Sequence, residues 1–259
     1  DMIEIGAGGG SIARVNELGL LKVGPDSAGS NPGPASYGRG GTEPCVTDAD
    51  LVLGILDPGN FLGGDMQLDP GAARNAVQRL ADKLGVSAED AAFGIFSVVG
   101  ESMAAAARAH ATDRGVNYRG LPLLAFGGAG PVHACYVAEQ IESSQIIYPP
   151  MASVLSAFGT LVTPVRFDLA RGGLCLLSDI NWDAVDTMIG SMLHEGQTAL
   201  LEAGLSEDAI TYSYGADMRY SGQQSEVTVA LGSDPSKSRD PGDLRLRFEK
   251  AYEALYGVR

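Results

Sequence analysis

A continuous apolar stretch at residues 121–126 runs into a cluster of glycines and then into a helical pattern, and this junction most constrains the fold. An unbroken apolar run is typical of a strand that is buried on both faces, as in a parallel sheet. Helical spacing follows at residues 132–141, and residues 145–148 have the pattern of a second strand. This order predicts an α/β unit, in which ligands bind at the carboxyl ends of the strands.

The turn after the first of these strands consists of Gly127, Gly128, Ala129 and Gly130, followed by Pro131. Without side chains, its backbone could lie against a phosphate or a flat ring near the positive end of the next helix. Pro131 suits the first turn of that helix. Close packing of a helix on a strand also requires small residues, and this turn alone leaves both interpretations open.

A second glycine-rich turn, Gly8, Gly9, Gly10 and Ser11, follows an apolar strand predicted at residues 2–5. Consecutive glycines expose backbone N–H groups that can surround a phosphate, and Ser11 adds a hydroxyl. A tight hairpin with positive φ angles is the alternative, although so many adjacent glycines favour phosphate contact. No Lys-Ser or Lys-Thr pair follows, which excludes a Walker loop. We expect the two turns to form two lips of one cleft.

Two carboxylates lie two residues apart, at Asp48 and Asp50, near the start of a helix predicted over residues 49–56. They could bind Mg²⁺ through water or cap the helix, and the residues alone favour capping. His133 lies one turn into the helix after the other glycine turn, where a histidine could make a catalytic or polar contact. Cys135, in the same helix, is expected to face the core.

Composition limits the partners of the chain. Lys and Arg number 18, Asp and Glu number 32, and the formal net charge is −14. A surface this acidic repels nucleic acid and anionic membranes, so a phosphate ligand must be held locally by backbone N–H groups or through a metal ion. We expect no signal peptide and no stretch apolar enough to span a bilayer. Three widely spaced cysteines fit a reducing compartment, and we expect a cytoplasmic protein.

The remaining patterns predict two regions, an α/β domain at residues 1–165 and a smaller α+β region at 166–259. Helices are predicted at 69–84, 153–162, 184–203 and 244–256, and behind a capping pair of Ser87 and Asp90. Strands are predicted at 12–15, 20–23, 165–177, 210–219 and 226–231. The chain opens on apolar residues without an initiator Met, which predicts an interior fragment of a longer protein.

Seven sequence blocks occur in one order along the chain. They are Ile-Gly-Ala-Gly-Gly-Gly-Ser-Ile-Ala at 5–13, Val-Gly-Pro-Asp-Ser-Ala-Gly at 23–29, Pro-Gly-Pro-Ala at 32–35, Tyr-Gly at 37–38, Val-Thr-Asp-Ala at 46–49, Phe-Leu-Gly-Gly at 61–64, and Ala-Phe-Gly-Gly-Ala-Gly-Pro at 125–131 with His-Ala at 133–134. Together they resemble the hydantoinase A/oxoprolinase family, which includes ATP-dependent N-methylhydantoinase, 5-oxoprolinase and related subunits of acetone and acetophenone carboxylases. The resemblance is strongest over residues 1 to about 165.

The resemblance implies an actin/hexokinase/Hsp70-like (ribonuclease H-like) fold, in which two related α/β domains close over ATP. It implies phosphate contacts from the turn that ends at Ser11, and nucleoside contacts from the turn that ends at Gly130. Asp48 would contact Mg²⁺ or its water, and His133 would be a polar contact in the catalytic site. The first phosphate turn of that superfamily, of the Asp-x-Gly-Gly-Thr type, is absent from this sequence, so this piece alone is expected to be inactive.

The implied chemistry is the activation of an amide or carbonyl group by phosphoryl transfer from ATP. The leading interpretation is part of an ATP-dependent hydrolase of cyclic amides, of the hydantoin or 5-oxoproline type, that works with a hydantoinase B-type subunit or domain. A subunit of an ATP-dependent ketone carboxylase and a non-catalytic assembly subunit of the same fold are the alternatives. A small-molecule kinase is less favoured, because the blocks between residues 27 and 37 belong to hydantoinase-like proteins rather than to sugar kinases.

Overall fold

The first glycine-rich turn leads into an antiparallel hairpin of β1 (Ser11–Val15) and β2 (Leu21–Ser27). In this hairpin Ala13 pairs with Val23 and Val15 with Leu21, as expected for strands at 12–15 and 20–23. The strand predicted at residues 2–5 is wrong, because this segment is irregular and exposed. No strand within residues 2–232 and 234–257 pairs with this segment, so its backbone has no ladder to join.

The structure, a computed structural model, describes residues 2–232 and 234–257. Contacts divide the chain into two compact units, Asp1–Val162 and Thr163–Arg259. The division falls close to the boundary predicted at residues 165 and 166. That these units are separate domains of the enzyme remains our proposal.

Three helices form the core of the first unit, α1 (Val46–Val52), α2 (Pro70–Leu84) and α3 (Ala88–Asp113). As predicted, α2 ends at Gly85, which adopts φ +69°, and the Ser87 hydroxyl caps α3 by accepting the Asp90 N–H. The helices bury a cluster of alanines and β-branched residues, which includes Val46, Ala49, Val77, Ala92, Ile95 and Val99. Small residues at these contacts let the helix axes approach closely.

The expectation that no stretch of the chain is apolar enough to span a bilayer is wrong. The 26-residue helix α3 is long and apolar enough to cross a membrane by length and composition alone. A core helix of a soluble protein passes the same test, and α3 packs against α1, α2 and another helix of this unit. We therefore interpret its apolar composition as that of a core helix.

The predicted strand, turn, helix and strand form β3 (Leu123–Leu124), α4 (Gly130–Gln140) and β4 (Ile146–Ile147), and α5 (Leu155–Val162) follows. The two strands pair in parallel, which confirms the α/β unit. Their predicted length and burial are wrong, because each has two residues and Leu124 and Phe126 are almost half exposed. Within the described part of the chain, neither strand has a second neighbour to cover it.

The second unit contains α6 (Trp182–Glu202), β5 (Tyr214–Met218), β6 (Val227–Leu231), α7 (Pro235–Ser238) and α8 (Pro241–Tyr256). Strands β5 and β6 pair antiparallel, and α8 covers them through Phe248, Val227 and Val229. This is the expected α+β arrangement. The strand predicted at residues 165–177 is wrong, because this segment is irregular and its apolar side chains, such as Leu174, are exposed.

Short 3-10 helices complete the described secondary structure, and they lie at Ala35–Tyr37, Leu62–Gly64, Ala152–Val154, Leu177–Asp179 and Glu207–Ala209.

Candidate functional site

The first glycine turn is closed by Ser11. Its backbone N–H donates to the Gly8 carbonyl over 3.0 Å, and its hydroxyl oxygen accepts the Gly8 N–H over 3.0 Å. Ser11 is buried, and the hydrogen bond to its hydroxyl stabilises the conformation of the turn. Gly9 and Gly10 therefore form the tip of a tight loop directly before β1.

A helix side chain holds this turn in place. The Gly9 carbonyl accepts two hydrogen bonds from Thr47 of α1, one from its N–H over 2.8 Å and one from its hydroxyl over 2.9 Å. A Cβ on Gly9 would lie 2.7 Å from the Thr47 hydroxyl, and one on Gly10 would lie 2.8 Å from the Ser27 hydroxyl. These two glycines are thus required by close packing inside the protein.

Close packing does not explain the glycine at position 8. No described atom lies within 4 Å of a Cβ built at this position. None of Gly8, Gly9 and Gly10 has a positive φ angle, so the hairpin alternative does not account for these glycines. The space in front of Gly8 remains open for a ligand.

The second glycine turn is also open. Gly127 adopts φ +94° and donates its N–H to the Ala152 carbonyl, which fixes the end of β3. A Cβ on Gly128 or Gly130 would meet no described atom within 4 Å, so helix-on-strand packing does not require these glycines. Among the residues that the structure describes, no side-chain hydrogen bond caps the start of α4. The positive end of this helix is therefore free to face an anion.

The two glycine turns lie close together, and their role as two lips of one cleft stays a prediction. A Cβ on Gly9 would lie 3.9 Å from the Ala129 Cβ, which is ordinary van der Waals contact. Segments near opposite ends of the first unit thus face each other, with open space at Gly8 on one lip and at Gly128 on the other.

Asp48 is committed to the protein backbone. Its fully buried carboxylate accepts N–H groups from Ser36 over 2.8 Å, from Cys45 over 2.9 Å and from Ala35 over 3.2 Å. Both oxygens are engaged, which favours the capping interpretation of the sequence. A role for Asp48 in catalysis or in binding Mg²⁺ stays a prediction that this geometry does not support.

Cys45 precedes α1 and forms a reciprocal cap with Asp48, whose backbone N–H the thiol accepts. Burial raises the pKa of the Cys45 thiol to about 12, and the Asp48 and Glu43 carboxylates add to the increase. An un-ionised thiol is a weak nucleophile, so Cys45 has a structural role here.

His133 lies beneath the second turn rather than on its surface. It is fully buried in the first turn of α4, and its Nε2 lies 3.4 Å from Oδ2 of Asp50 in α1. The Phe96 ring of α3 packs on the imidazole with ring centroids 4.7 Å apart. His133 therefore lies against Asp50 without a hydrogen bond, and the polar contact and catalytic role expected of it stay predictions.

Sequence patterns did not single out Thr47 as a site residue, and they raised Asp50 only as one of two carboxylates that could bind Mg²⁺ through water or cap the helix. The signal was present, because a hydroxyl and a second acid on a short apolar helix need buried partners. The expectation that Cys135 faces the core is wrong, because its side chain is exposed and lies 3.6 Å from the Tyr148 hydroxyl.

A groove of about 420 Å³ lies along α3, and Ser97, Val98, Glu101, Ser102 and Ala105 line it. All five residues belong to one helix, and neither glycine turn contributes to the groove. We do not assign it to the nucleotide.

The chain is similar to known proteins over nearly its whole length. The model of the hydantoinase/oxoprolinase family matches residues 1–169. Caprolactamase subunit alpha of Pseudomonas jessenii is 38% identical over 256 residues, which covers 97% of this chain and 37% of the relative. The gamma subunit of acetophenone carboxylase from Aromatoleum aromaticum is 35% identical over 263 residues, which covers 98% of this chain and 35% of the relative.

A solved structure is similar as well. The crystal structure of ATP-dependent caprolactamase from Pseudomonas jessenii matches with a TM-score of 0.66 at 37% identity, over 96% of this chain and 37% of that chain. The chain therefore spans less than two-fifths of the length of these relatives. The family match extends over more than half of the chain and includes both glycine turns, and the chain belongs to the hydantoinase/oxoprolinase family.

Proposed function

We propose that this chain is part of an ATP-dependent enzyme that hydrolyses a cyclic amide, and that its two glycine turns form one side of the nucleotide site. The observation that carries the proposal is the proximity of the turns, since a Cβ built on Gly9 would lie 3.9 Å from the Ala129 Cβ, together with unfilled space at Gly8, Gly128 and Gly130. The name of the caprolactamase adds support, because a caprolactam is a cyclic amide and that enzyme is ATP-dependent.

The open glycines suit ATP. The turn of Gly8, Gly9, Gly10 and Ser11 would hold phosphate through the N–H groups of Gly9 and Gly10, because those of Gly8 and Ser11 already donate within the turn. The turn of Gly127, Gly128, Ala129 and Gly130 would face the nucleoside, with the positive end of α4 directed toward the ligand. A side chain on Gly8, Gly128 or Gly130 would fill the space that the ligand needs.

The chain's own residues would act by binding and orientation. Two hydrogen bonds from Thr47 hold the Gly9 carbonyl, so the N–H groups of this turn have a fixed direction before ATP binds. When bound, ATP supplies the phosphoryl group that activates an amide carbonyl toward water. The fold that we propose for this task is the actin/hexokinase/Hsp70-like one, with residues 1–165 as the nucleotide-binding domain and 166–259 as the smaller region.

The residues described here do not fit a protein-held Mg²⁺ ion. No group of three His, Cys, Asp or Glu side chains within residues 2–232 and 234–257 could hold a metal, and Asp48 is engaged by three backbone N–H groups. We therefore assign no step to Mg²⁺ on this chain.

We propose a second subunit or domain of the hydantoinase B type as the partner. The relatives named above are the alpha subunit of one enzyme and the gamma subunit of another, which supports an assembly of several chains. The formal charge of −14 argues against nucleic acid and anionic membranes as partners. The cytoplasmic location remains a prediction.

The alternative is a subunit of an ATP-dependent ketone carboxylase. The acetophenone carboxylase gamma subunit favours it, because its identity to this chain, 35%, is close to the 38% of the caprolactamase. The nucleotide site would be the same, and only the substrate side of the enzyme would differ.

The test uses the full-length parent enzyme with its partner subunit. ATP hydrolysis is measured with caprolactam, hydantoin, N-methylhydantoin, 5-oxoproline, and acetone or acetophenone with bicarbonate. Gly8→Val and Gly128→Val are the informative variants, because a side chain there meets no described atom and should leave folding intact. Gly190→Val is the matched control, at an exposed glycine of α6 that also has open space.

We expect turnover with one cyclic amide, lost in both variants and retained in the control, with all melting temperatures close to that of the wild type. Turnover that requires a ketone and bicarbonate would support the carboxylase instead. Binding of no ATP by the wild-type enzyme would point to a non-catalytic assembly subunit. If folded Gly8→Val and Gly128→Val enzymes hydrolyse ATP normally, the site assignment is wrong.

A further inference from the structure

Helix α1 contacts the first glycine turn and the first turn of α4, which continues from the second glycine turn, although α1 has only seven residues. On one side, Thr47 donates two hydrogen bonds to the Gly9 carbonyl. On the other side, Asp50 lies against His133, three residues after the end of the second turn at Gly130. The same short helix is therefore a common support for two segments that lie far apart in the sequence.

The contact between Asp50 and His133 is buried. Asp50 is 2% exposed and His133 is 0% exposed, and Nε2 and Oδ2 are 3.4 Å apart. Within the described residues, the other carboxylate oxygen and both imidazole nitrogens have no hydrogen-bond partner, so Nε2 and Oδ2 are in close polar contact without a hydrogen bond. Burying polar groups with so few partners is unfavourable, and two apolar residues of similar volume would often be at least as stable. Stability alone therefore does not explain this pair.

The surroundings also argue against direct contact between His133 and a ligand. The imidazole lies between Asp50 and the Phe96 ring, and no part of it is exposed. The effect of His133 on a ligand must pass through the backbone of α4, whose first turn continues directly from the second glycine turn.

We infer that Asp50 and His133 form a positioning pair that sets the separation and the relative orientation of the two glycine turns. This inference rests on the proposed nucleotide site and deepens it. Thr47 fixes the first turn to α1, and the pair fixes the second turn to the same helix. The phosphate and nucleoside contacts are thereby held at the spacing of one ligand before it binds.

The test measures ATP affinity by isothermal titration calorimetry on the full-length enzyme with its partner, well below the melting temperature. The variants are Asp50→Ala, His133→Ala and the double variant. Asp50→Asn and His133→Gln are the conservative variants, because Asn keeps an acceptor oxygen and Gln keeps a donor nitrogen. Leu80→Ala is the control, since it removes a buried side chain of α2 that belongs to neither turn nor pair.

We expect each alanine variant to weaken ATP binding by about tenfold, and the double variant to be no weaker than the poorer single variant. The conservative variants should bind ATP with affinity nearer to the wild type than to the alanine variants. Leu80→Ala should lower the melting temperature and leave the affinity unchanged, which separates positioning from stability.

Two outcomes would overturn the inference alone. One is wild-type ATP affinity in alanine variants with a lowered melting temperature, since the pair would then be structural only. The other is full additivity of the two single effects, since the residues would then act separately. If an alanine variant does not fold, unchanged affinity in Asp50→Leu and His133→Phe variants, which remove the polar contact and keep most of the volume, would overturn the inference as well. A wild-type enzyme that binds no ATP would overturn both the inference and the proposed function.

Discussion

Residues 45–50 carry polar groups that are almost completely buried, and each group serves a neighbouring segment rather than solvent. Thr47 holds the first glycine turn, Asp48 holds the loop at Ala35 and Ser36, and Asp50 lies against His133. Buried acids and hydroxyls are stable only with partners. At the scale of single residues, the site is therefore organised by the side chains behind the glycines as much as by the glycines themselves.

Asp48→Asn is expected to destabilise the loop at residues 30–42 without changing the Mg²⁺ dependence of activity. The new amide group would face backbone N–H donors, so we expect a loss of about 3 kcal/mol in local stability. Limited proteolysis of the loop at residues 30–42 in the full-length enzyme should become faster, and the melting temperature should fall.

The control for this prediction is Asp26→Asn, because Asp26 forms an exposed ion pair with Arg14 and should contribute little. The Mg²⁺ concentration for half-maximal activity should be the same in Asp48→Asn as in the wild type. A large increase in that concentration, with an unchanged rate of proteolysis, would restore Asp48 as a metal ligand.

The raised pKa of Cys45 predicts a loss of stability at alkaline pH. The folded thiol ionises at about 12, whereas the ordinary value is 9.0. Between these values the unfolded chain releases a proton that the folded chain retains, so ionisation favours unfolding. The contribution of Cys45 is complete below pH 9 and is lost as the pH rises toward 12. Melting temperatures of the wild type and of Cys45→Ala, compared from pH 8 to 10.5, measure it.

We expect the wild type to lose more stability than Cys45→Ala over this range, because the variant lacks the titrating thiol. Lysines and tyrosines titrate in both proteins, so their contribution to the change in stability cancels in this comparison. Parallel curves for the two proteins would contradict the assignment. Under native conditions at pH 8, an alkylating reagent should modify the exposed Cys135 and Cys175 and leave Cys45 intact.

At the scale of elements, the contact between α3 and α4 determines where the second glycine turn begins. Gly100 of α3 lies against Tyr136 of α4, and Phe96 packs edge-on to the same ring with centroids 5.6 Å apart. The absence of a side chain at Gly100 lets the two helices approach. This packing therefore also sets the position of the glycine turn that precedes α4.

Gly100→Ala is expected to destabilise the enzyme, although alanine is the better helix former. The new Cβ would lie 2.5 Å from the Tyr136 ring, so the helices must move apart. We expect a loss of about 2 kcal/mol from overpacking, seen as a lower melting temperature. Gly190→Ala in α6 has no neighbour within 4 Å and should gain up to about 1 kcal/mol. Equal melting temperatures for both variants would show that the ring adjusts freely.

Elements with a local signal could be predicted from the sequence. The helices α2 and α3 have an N-cap side chain before the first turn, and α2 is followed by a glycine, so their limits follow from local chemistry. The segments 2–5 and 165–177 are as apolar as strands, yet a strand exists only when a neighbour pairs with it. Apolar composition could not show that these neighbours are absent from the described chain.

At the scale of the whole molecule, the α/β character, the α+β character of the second unit and the family were predictable, because each depends on the order of patterns along the chain. The sequence could not show which acid faces which partner, because Asp48 and Asp50 both lie on α1 and differ only in the direction of their side chains. The acidic surface also follows from composition. The start of α4 is a local exception to this negative charge, because the helix dipole is positive there.

The attachment of both turns to α1 has a consequence for product release. If the two turns hold ATP as we propose, they cannot separate within this unit unless the Thr47 hydrogen bonds or the contact between Asp50 and His133 is broken. A spent nucleotide would then not leave by the parting of these turns. Its exit would open toward other parts of the enzyme, and those parts would set the rate of nucleotide exchange.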